Sequence, residues 1–253
     1  MNNRSIYLVI VLLIAMILIL GTSVTLRVSS KPAVAHDTAI LSLLKNVLAP
    51  QPPVRIMPLG DSITAGIGST ARGGYRVTLW NECKAAGWNV AFVGSQQSGP
   101  DSLPEKSHEG HPGWRIDQLS NYIVSWLKLY QPHIILLHIG TNDIIQNHSV
   151  SAAPLRLSYL INQITTTLPT AIVIVALIIP LSNPILNAKV MTYDSDIPAV
   201  VQHMAEQDRH VEYVDMYSAV PISDLPDKIH PNNSGYTLMA GVWYQALKAI
   251  LHP

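Results

Sequence analysis

Five residues carry chemistry by type and by place. They are Ser62 in Gly-Asp-Ser-Ile-Thr, Gly94 in Phe-Val-Gly-Ser, Asn142 in Gly-Thr-Asn-Asp, and Asp227 and His230 in Asp-Lys-Ile-His. A serine hydroxyl becomes a nucleophile when an adjacent base takes its proton. On a loop, a spacing of three lets the Asp227 carboxylate reach His230 Nδ1, which sets the tautomer and leaves Nε2 as that base. Backbone N–H groups of Ser62 and Gly94 and the amide of Asn142 can then face a developing oxyanion. Each residue also has an ordinary role. Serine after glycine caps helices, asparagine closes turns, and Asp227 and His230 can belong to a surface loop ahead of Pro231. Two other motifs are excluded around Ser62. Thr64 stands where a Gly-x-Ser-x-Gly elbow needs glycine, and no Gly-Lys-Ser/Thr follows to make a phosphate loop.

The elements that would position these groups are legible in the apolar pattern. Continuous apolar runs at 54–59, 89–93, 133–139, 171–178 and 211–214 have the character of strands buried on both faces. Helical spacing occupies 75–86, 115–130, 153–168, a proline-interrupted stretch over 184–208, and 234–251. The clearest stripe is Ile116, Leu119, Ile123, Trp126 and Leu127. Strands alternating with helices predict right-handed crossovers, hence a three-layer α/β/α sandwich on a five-stranded parallel sheet. Ligands in such sheets bind beyond the carboxyl ends of the strands. Gly60-Asp61-Ser62, Gly94-Ser95, the 140–143 turn and the 227–230 loop all come after strands, so all five residues fall on one rim.

Composition narrows the function. Hydrophobic residues make up 48% of the 253 and charged residues 13%, with a formal net charge of zero. No basic field for nucleic acid exists. The single Cys83 excludes an internal disulfide and a cysteine zinc site. Residues 1–4 form a short tail ahead of an uncharged apolar segment, 5–26, long enough to span a bilayer. An uncleaved anchor is favoured over a signal peptide, whose Ala33-Val34-Ala35 cleavage site lies far beyond the apolar stretch. Arg4 on one side and Arg27 and Lys31 on the other leave its orientation open. Residues 27–53 read as a stem and 54–253 as an extracytoplasmic catalytic domain, membrane-attached if the segment is retained.

Together the five residues resemble the SGNH (GDSL-type) hydrolase superfamily, whose blocks supply Ser, Gly, Asn and His with an Asp three before the His. RIMPLGDSIT, GGYR, FVGS, HEGHPGWRID and IHPNNSGY further resemble carbohydrate esterase family 3, whose members remove acetyl groups from xylan. The resemblance implies a flavodoxin-like fold and no cofactor. It also implies Ser62 as nucleophile, His230 as base and acid, Asp227 as orienter, and Ser62, Gly94 and Asn142 as oxyanion donors. The implied substrate is an acetylated carbohydrate or another small ester. A single Phe in the chain argues against a long acyl groove, while Tyr75, Arg76, Trp114 and Arg115 near the rim suit a sugar. Tyr75, Trp114 and Arg115 are accordingly the expected substrate contacts. The alternatives are a lipase, lysophospholipase or thioesterase on longer chains, a non-catalytic glycan-binding protein, and a metal-dependent deacetylase using His108 and His111. His-Glu-Gly-His on a Gly/Pro-rich loop does not match the helical His-Glu-x-x-His pattern, so no metal is assigned.

Overall fold

The computed structural model describes residues 52–251. The apolar segment 5–26 and nearly all of the stem lie outside the described residues. Among the described residues no helix is long and apolar enough to cross a membrane.

Strands β1 (Val54–Gly60), β2 (Val90–Phe92), β3 (Gln96–Gln97), β4 (Ser107–Gly110), β5 (Ile134–His138), β6 (Ile172–Ala176) and β7 (Val211–Val214) form one sheet. Helices α1 (Ser62–Ala65), α2 (Tyr75–Ala85), α3 (Ile116–Ser120), α4 (Ile123–Tyr130), α5 (Thr141–Ile145), α6 (Ala153–Thr167), α7 (Pro184–Ala205) and α8 (Asn233–Leu251) connect them. All five expected strands are present, mutually parallel in the order β2-β1-β5-β6-β7. Successive strand residues serve opposite layers, as the pleat requires. Met57, Ile135, Leu137, Val173 and Val175 pack beneath α3, α4, α6 and α7. Ile56, Ile134, Leu136, Ile174 and Ala176 pack beneath α2 and α8.

The sheet has seven strands rather than five. β2 pairs only with the first half of β1, at Val54, Arg55 and Ile56. β4 then takes the vacated edge, pairing Leu59 with Glu109 and Gly60 with Gly110, while β3 runs antiparallel to it. Gln-Gln and Ser-His-Glu-Gly carry no apolar pattern, so nothing in the sequence marks them as strands. Two helix expectations also change. The stretch 115–130 is two helices: Ser120 turns its hydroxyl back onto the Ile116 carbonyl and Asn121 ends the first. Conversely, α7 continues through Pro198. An interior proline costs about 3 kcal/mol, here offset by burial of Val190, Tyr193, Ile197, Val201 and Met204 along one stripe.

Two buried ionisable groups shape stability. Arg76 on α2 is fully buried, and burial lowers its pKa only to about 10, so it stays cationic. Among the described residues no carboxylate pairs with it. It donates instead to the carbonyls of Ser98 (2.9 Å), Lys106 (3.0 Å) and Arg72 (3.0 Å) and to Ser98 Oγ (2.8 Å). Asp194 on α7 accepts the Ile178 N–H at 2.9 Å through one oxygen, while the other is buried without a partner. Burial raises this carboxyl from 3.8 to about 8. The folded state therefore keeps a proton that the unfolded chain releases near pH 4, and stability falls as pH rises through that window. Asp194→Asn is expected to raise Tm at pH 8 and to leave it unchanged at pH 4, read by calorimetry. Arg76→Met strands several carbonyls at a cost on the order of 3 kcal/mol, seen as a Tm loss of roughly 6–12 °C.

Candidate active site

Ser62 opens α1 immediately after β1. Its turn is held by Asp61, whose Oδ1 accepts the Ile63 N–H at 2.9 Å. His230 approaches from the loop ahead of α8, with Nε2 2.8 Å from Ser62 Oγ. Asp227 Oδ2 lies 2.7 Å from His230 Nδ1, and its Oδ1 accepts the backbone N–H groups of Ile229 (3.0 Å) and His230 (2.7 Å). A carboxylate only accepts, so Nδ1 carries the proton and Nε2 accepts the Ser62 hydroxyl. Burial pushes the Asp227 carboxyl up, yet its hydrogen bonds to the His230 backbone and ring and to Ile229 hold it below the usual range. It therefore stays ionised beside the His230 ring. The spacing of three works because Asp227 folds its own loop, with Lys228 at φ +76°.

A cleft of about 330 Å³ opens beside this relay, lined by Ser62, Ile67, Pro112, Gly113, Thr141, Asn142, Ile145, Ile229 and His230. Asn142, in the first turn of α5 past β5, stands where expected. Gly94 does not. Because β4 replaces β2 alongside the upper half of β1, the rim next to Ser62 is built from the 111–114 turn at the end of β4. Gly94 instead sits at φ +150°, and a Cβ there would lie 2.3 Å from the His108 carbonyl carbon. Its glycine is required by close packing. Gly113 occupies the rim at φ +81°, and a Cβ would meet nothing within 4 Å. Its carbonyl accepts Gln146 Nε2 at 2.9 Å, while its N–H has no partner among the described residues. The Gly/Pro-rich turn of HEGHPGWRID is a sequence signal for it, but one that cannot be ranked above Gly94 without knowing which strand neighbours β1.

The expected substrate contacts also change. Tyr75 is fully buried, 6.0 Å from Trp243 between ring centroids, and out of reach of any ligand. Arg115 is held by Asp117 through two bonds (3.0 and 3.1 Å) and donates to Gln146 at 2.7 Å, so it braces the side chain that holds Gly113. Trp114 meets the site through its carbonyl, which accepts Asn142 Nδ2 at 3.0 Å. Its ring stacks on His111 at 4.3 Å and is not among the cleft-lining residues. Asp143 braces its loop, receiving Arg156 (2.7 Å) and the Ile116 N–H (3.0 Å). His108 bonds Ser98 Oγ at 2.8 Å and accepts the Gly110 N–H, and burial lowers its pKa to about 3. His111 bonds Glu109 at 2.8 Å. The two imidazoles thus have separate partners, and among the described residues no three His, Cys, Asp or Glu side chains cluster to hold a metal.

Residues 59–238 match the GDSL-like Lipase/Acylhydrolase family. The chain belongs to this family. Among solved structures, this GDSL-like chain is similar to a family 3 carbohydrate esterase of Clostridium thermocellum. They share 36% identity with a TM-score of 0.71, covering 78% of this chain and 98% of that one. A family 3 carbohydrate esterase from Talaromyces cellulolyticus matches at 27% identity and TM-score 0.66, with the same coverage. A multidomain esterase of Ruminococcus flavefaciens is 29% identical over 262 residues. That alignment takes in 92% of this chain but 32% of the relative, so the chain spans about a third of its length. The GDSL-like domain is thus a carboxylic ester hydrolase, close to carbohydrate esterase family 3. The two glycines separate by experiment. Gly94→Ala is expected to lower Tm sharply, whereas Gly113→Ala keeps stability within about 1–2 kcal/mol of wild type while reducing kcat.

Proposed function

We propose that the protein is a serine esterase that removes short acyl groups, chiefly acetyl, from a carbohydrate. The observation that carries this reading is the continuous relay from Ser62 Oγ to His230 Nε2 (2.8 Å) and from His230 Nδ1 to Asp227 (2.7 Å). Ser62 Oγ attacks the acyl carbon as its proton passes to Nε2. The resulting oxyanion faces the N–H groups of Ser62 and Gly113 and the Asn142 amide, each such donor being worth about 3 kcal/mol. Collapse of the tetrahedral adduct expels the sugar oxygen, which takes the proton from Nε2. Water then attacks the acyl-enzyme, its proton moving to His230, and acetate leaves as Ser62 is reprotonated.

The size of the cleft supports the short acyl group. At about 330 Å³ it is near the lower end for small-molecule sites, with Ile67, Pro112, Ile145 and Ile229 as its apolar side chains. The matched esterases named for carbohydrate support the sugar. A lipase-type activity on longer chains is the second reading, since the matched family bears that name. Export, with 5–26 as a membrane anchor, completes the proposal.

Hydrolysis of 4-nitrophenyl esters from acetyl to decanoyl, alongside acetylated xylan, tests it. Acetate is expected to exceed decanoate in kcat/KM by about tenfold or more, and the reverse order transfers the assignment to a lipase. Ser62→Ala and His230→Ala are expected to cost on the order of 10⁶ in kcat, and Asp227→Ala about 10⁴, with Tm retained.

A further inference from the structure

One buried acid beside the nucleophile has no part in the relay. Asp61 is fully buried, and its two oxygens serve two different walls of the cleft. Oδ1 caps α1 through the Ile63 N–H at 2.9 Å, and Oδ2 lies 3.3 Å from Asn142 Nδ2 on α5. The other neighbour of Asn142 Nδ2 is the Trp114 carbonyl at 3.0 Å. We propose that Asp61 is a positioning residue that fixes the Asn142 side-chain amide with its nitrogen, rather than its oxygen, toward the reacting acyl group. The inference rests on the acyl-transfer reading above.

The physical case lies in what surrounds the amide. An asparagine side chain can present either NH₂ or C=O to a given neighbour, and only its partners decide which. Here both partners are acceptors. Burial raises Asp61 to about 7, so above that pH both its oxygens accept. Reversing the amide would set Oδ1 against a carboxylate and a carbonyl oxygen at once and abolish two hydrogen bonds. The Trp114 carbonyl alone supplies one of those two constraints. The longer contact, to Asp61, is the one whose hydrogen an oxyanion would share as negative charge develops. The same carboxyl also holds the turn that carries Ser62, so one side chain sets nucleophile and donor relative to each other across the β1–β5 crevice.

Asp61→Asn separates the two duties. Its Oδ1 keeps the cap on Ile63, while its NH₂ now confronts Asn142 Nδ2 and favours the reversed amide. At pH 8, kcat for 4-nitrophenyl acetate is expected to fall on the order of 100-fold, with KM within about twofold and Tm retained. In an Asn142→Ala background the same change is expected to cost nothing further, because the amide it orients is gone. Should Asp61→Asn not fold, Asp61→Ser, whose hydroxyl also caps helices, supplies the comparison, with a loss of about tenfold that again vanishes in Asn142→Ala. An unchanged kcat, or a loss that adds in full to that of Asn142→Ala, overturns the inference. Labelling of Ser62 by a 4-nitrophenyl phosphonate accompanies each assay. A wild-type protein that neither turns over the acetate nor takes the label overturns the acyl-transfer reading and this inference with it. An active, labelled wild type beside an unaffected Asp61→Asn overturns this inference alone.

Discussion

A single buried cation ties together the half of the rim that neither β5 nor α8 supplies. Arg76 lies in a space with no counter-ion among the described residues, and its guanidinium is solvated almost wholly by backbone oxygens. Those oxygens come from the 65–72 turn after Ser62, from Ser98 beside β3, and from Lys106 at the start of β4. An unpaired charge costs several kcal/mol to bury, so this arrangement persists only while all three segments hold their places. Ser98 Oγ extends the grip, bonding the Ala65 and Arg72 carbonyls and His108. The α1 turn and the β3–β4 hairpin are thereby locked to one another. That locking brings β4 beside β1, and β4 in turn delivers Gly113 to the cleft.

On the other wall the same logic uses short chains of side-chain bonds. Asp117 holds Arg115, Arg115 holds Gln146, and Gln146 holds the Gly113 carbonyl. Asp143 ties α5 to α3 and to Arg156 on α6. Apart from Gly113 none of these residues lines the cleft, and Gln146 is the one that bonds directly to a residue that does. An acyl-transfer site needs donors already in place when charge develops, since reorganising them during reaction would consume the benefit. Conformational rigidity at the rim is therefore the functional yield of a network that reacts with nothing.

The relay itself is legible in the sequence. Ser62, Asn142, Asp227 and His230 come after apolar runs whose strand character is unambiguous, and a parallel sheet gathers the loops at the carboxyl ends of its strands on one edge. Gly94 passes the same test, and its misplacement shows the limit of that test. Gly94 follows its strand directly, so it reaches Ser62 only if β2 neighbours β1 at that height, and edge sharing between β2 and β4 is invisible in a run of residues. Tyr75 and Arg115 illustrate a second limit. Residue type announces that an aromatic ring or a guanidinium exists, but burial against Trp243 and capture by Asp117 arise from elements distant in the chain or from side-chain direction.

By itself the sequence determined the layers, the parallel sheet and the gathering of serine, imidazole and carboxylate on one rim, because hydrophobic period and short-range spacing are local properties. Only the tertiary structure decided that Gly113 rather than Gly94 borders the cleft, that Trp114 acts through its carbonyl, and that Asp61 faces Asn142. Those outcomes depend on pairings between segments up to 81 residues apart. What two such segments present to each other is set by how the whole core packs, which no stretch of sequence contains.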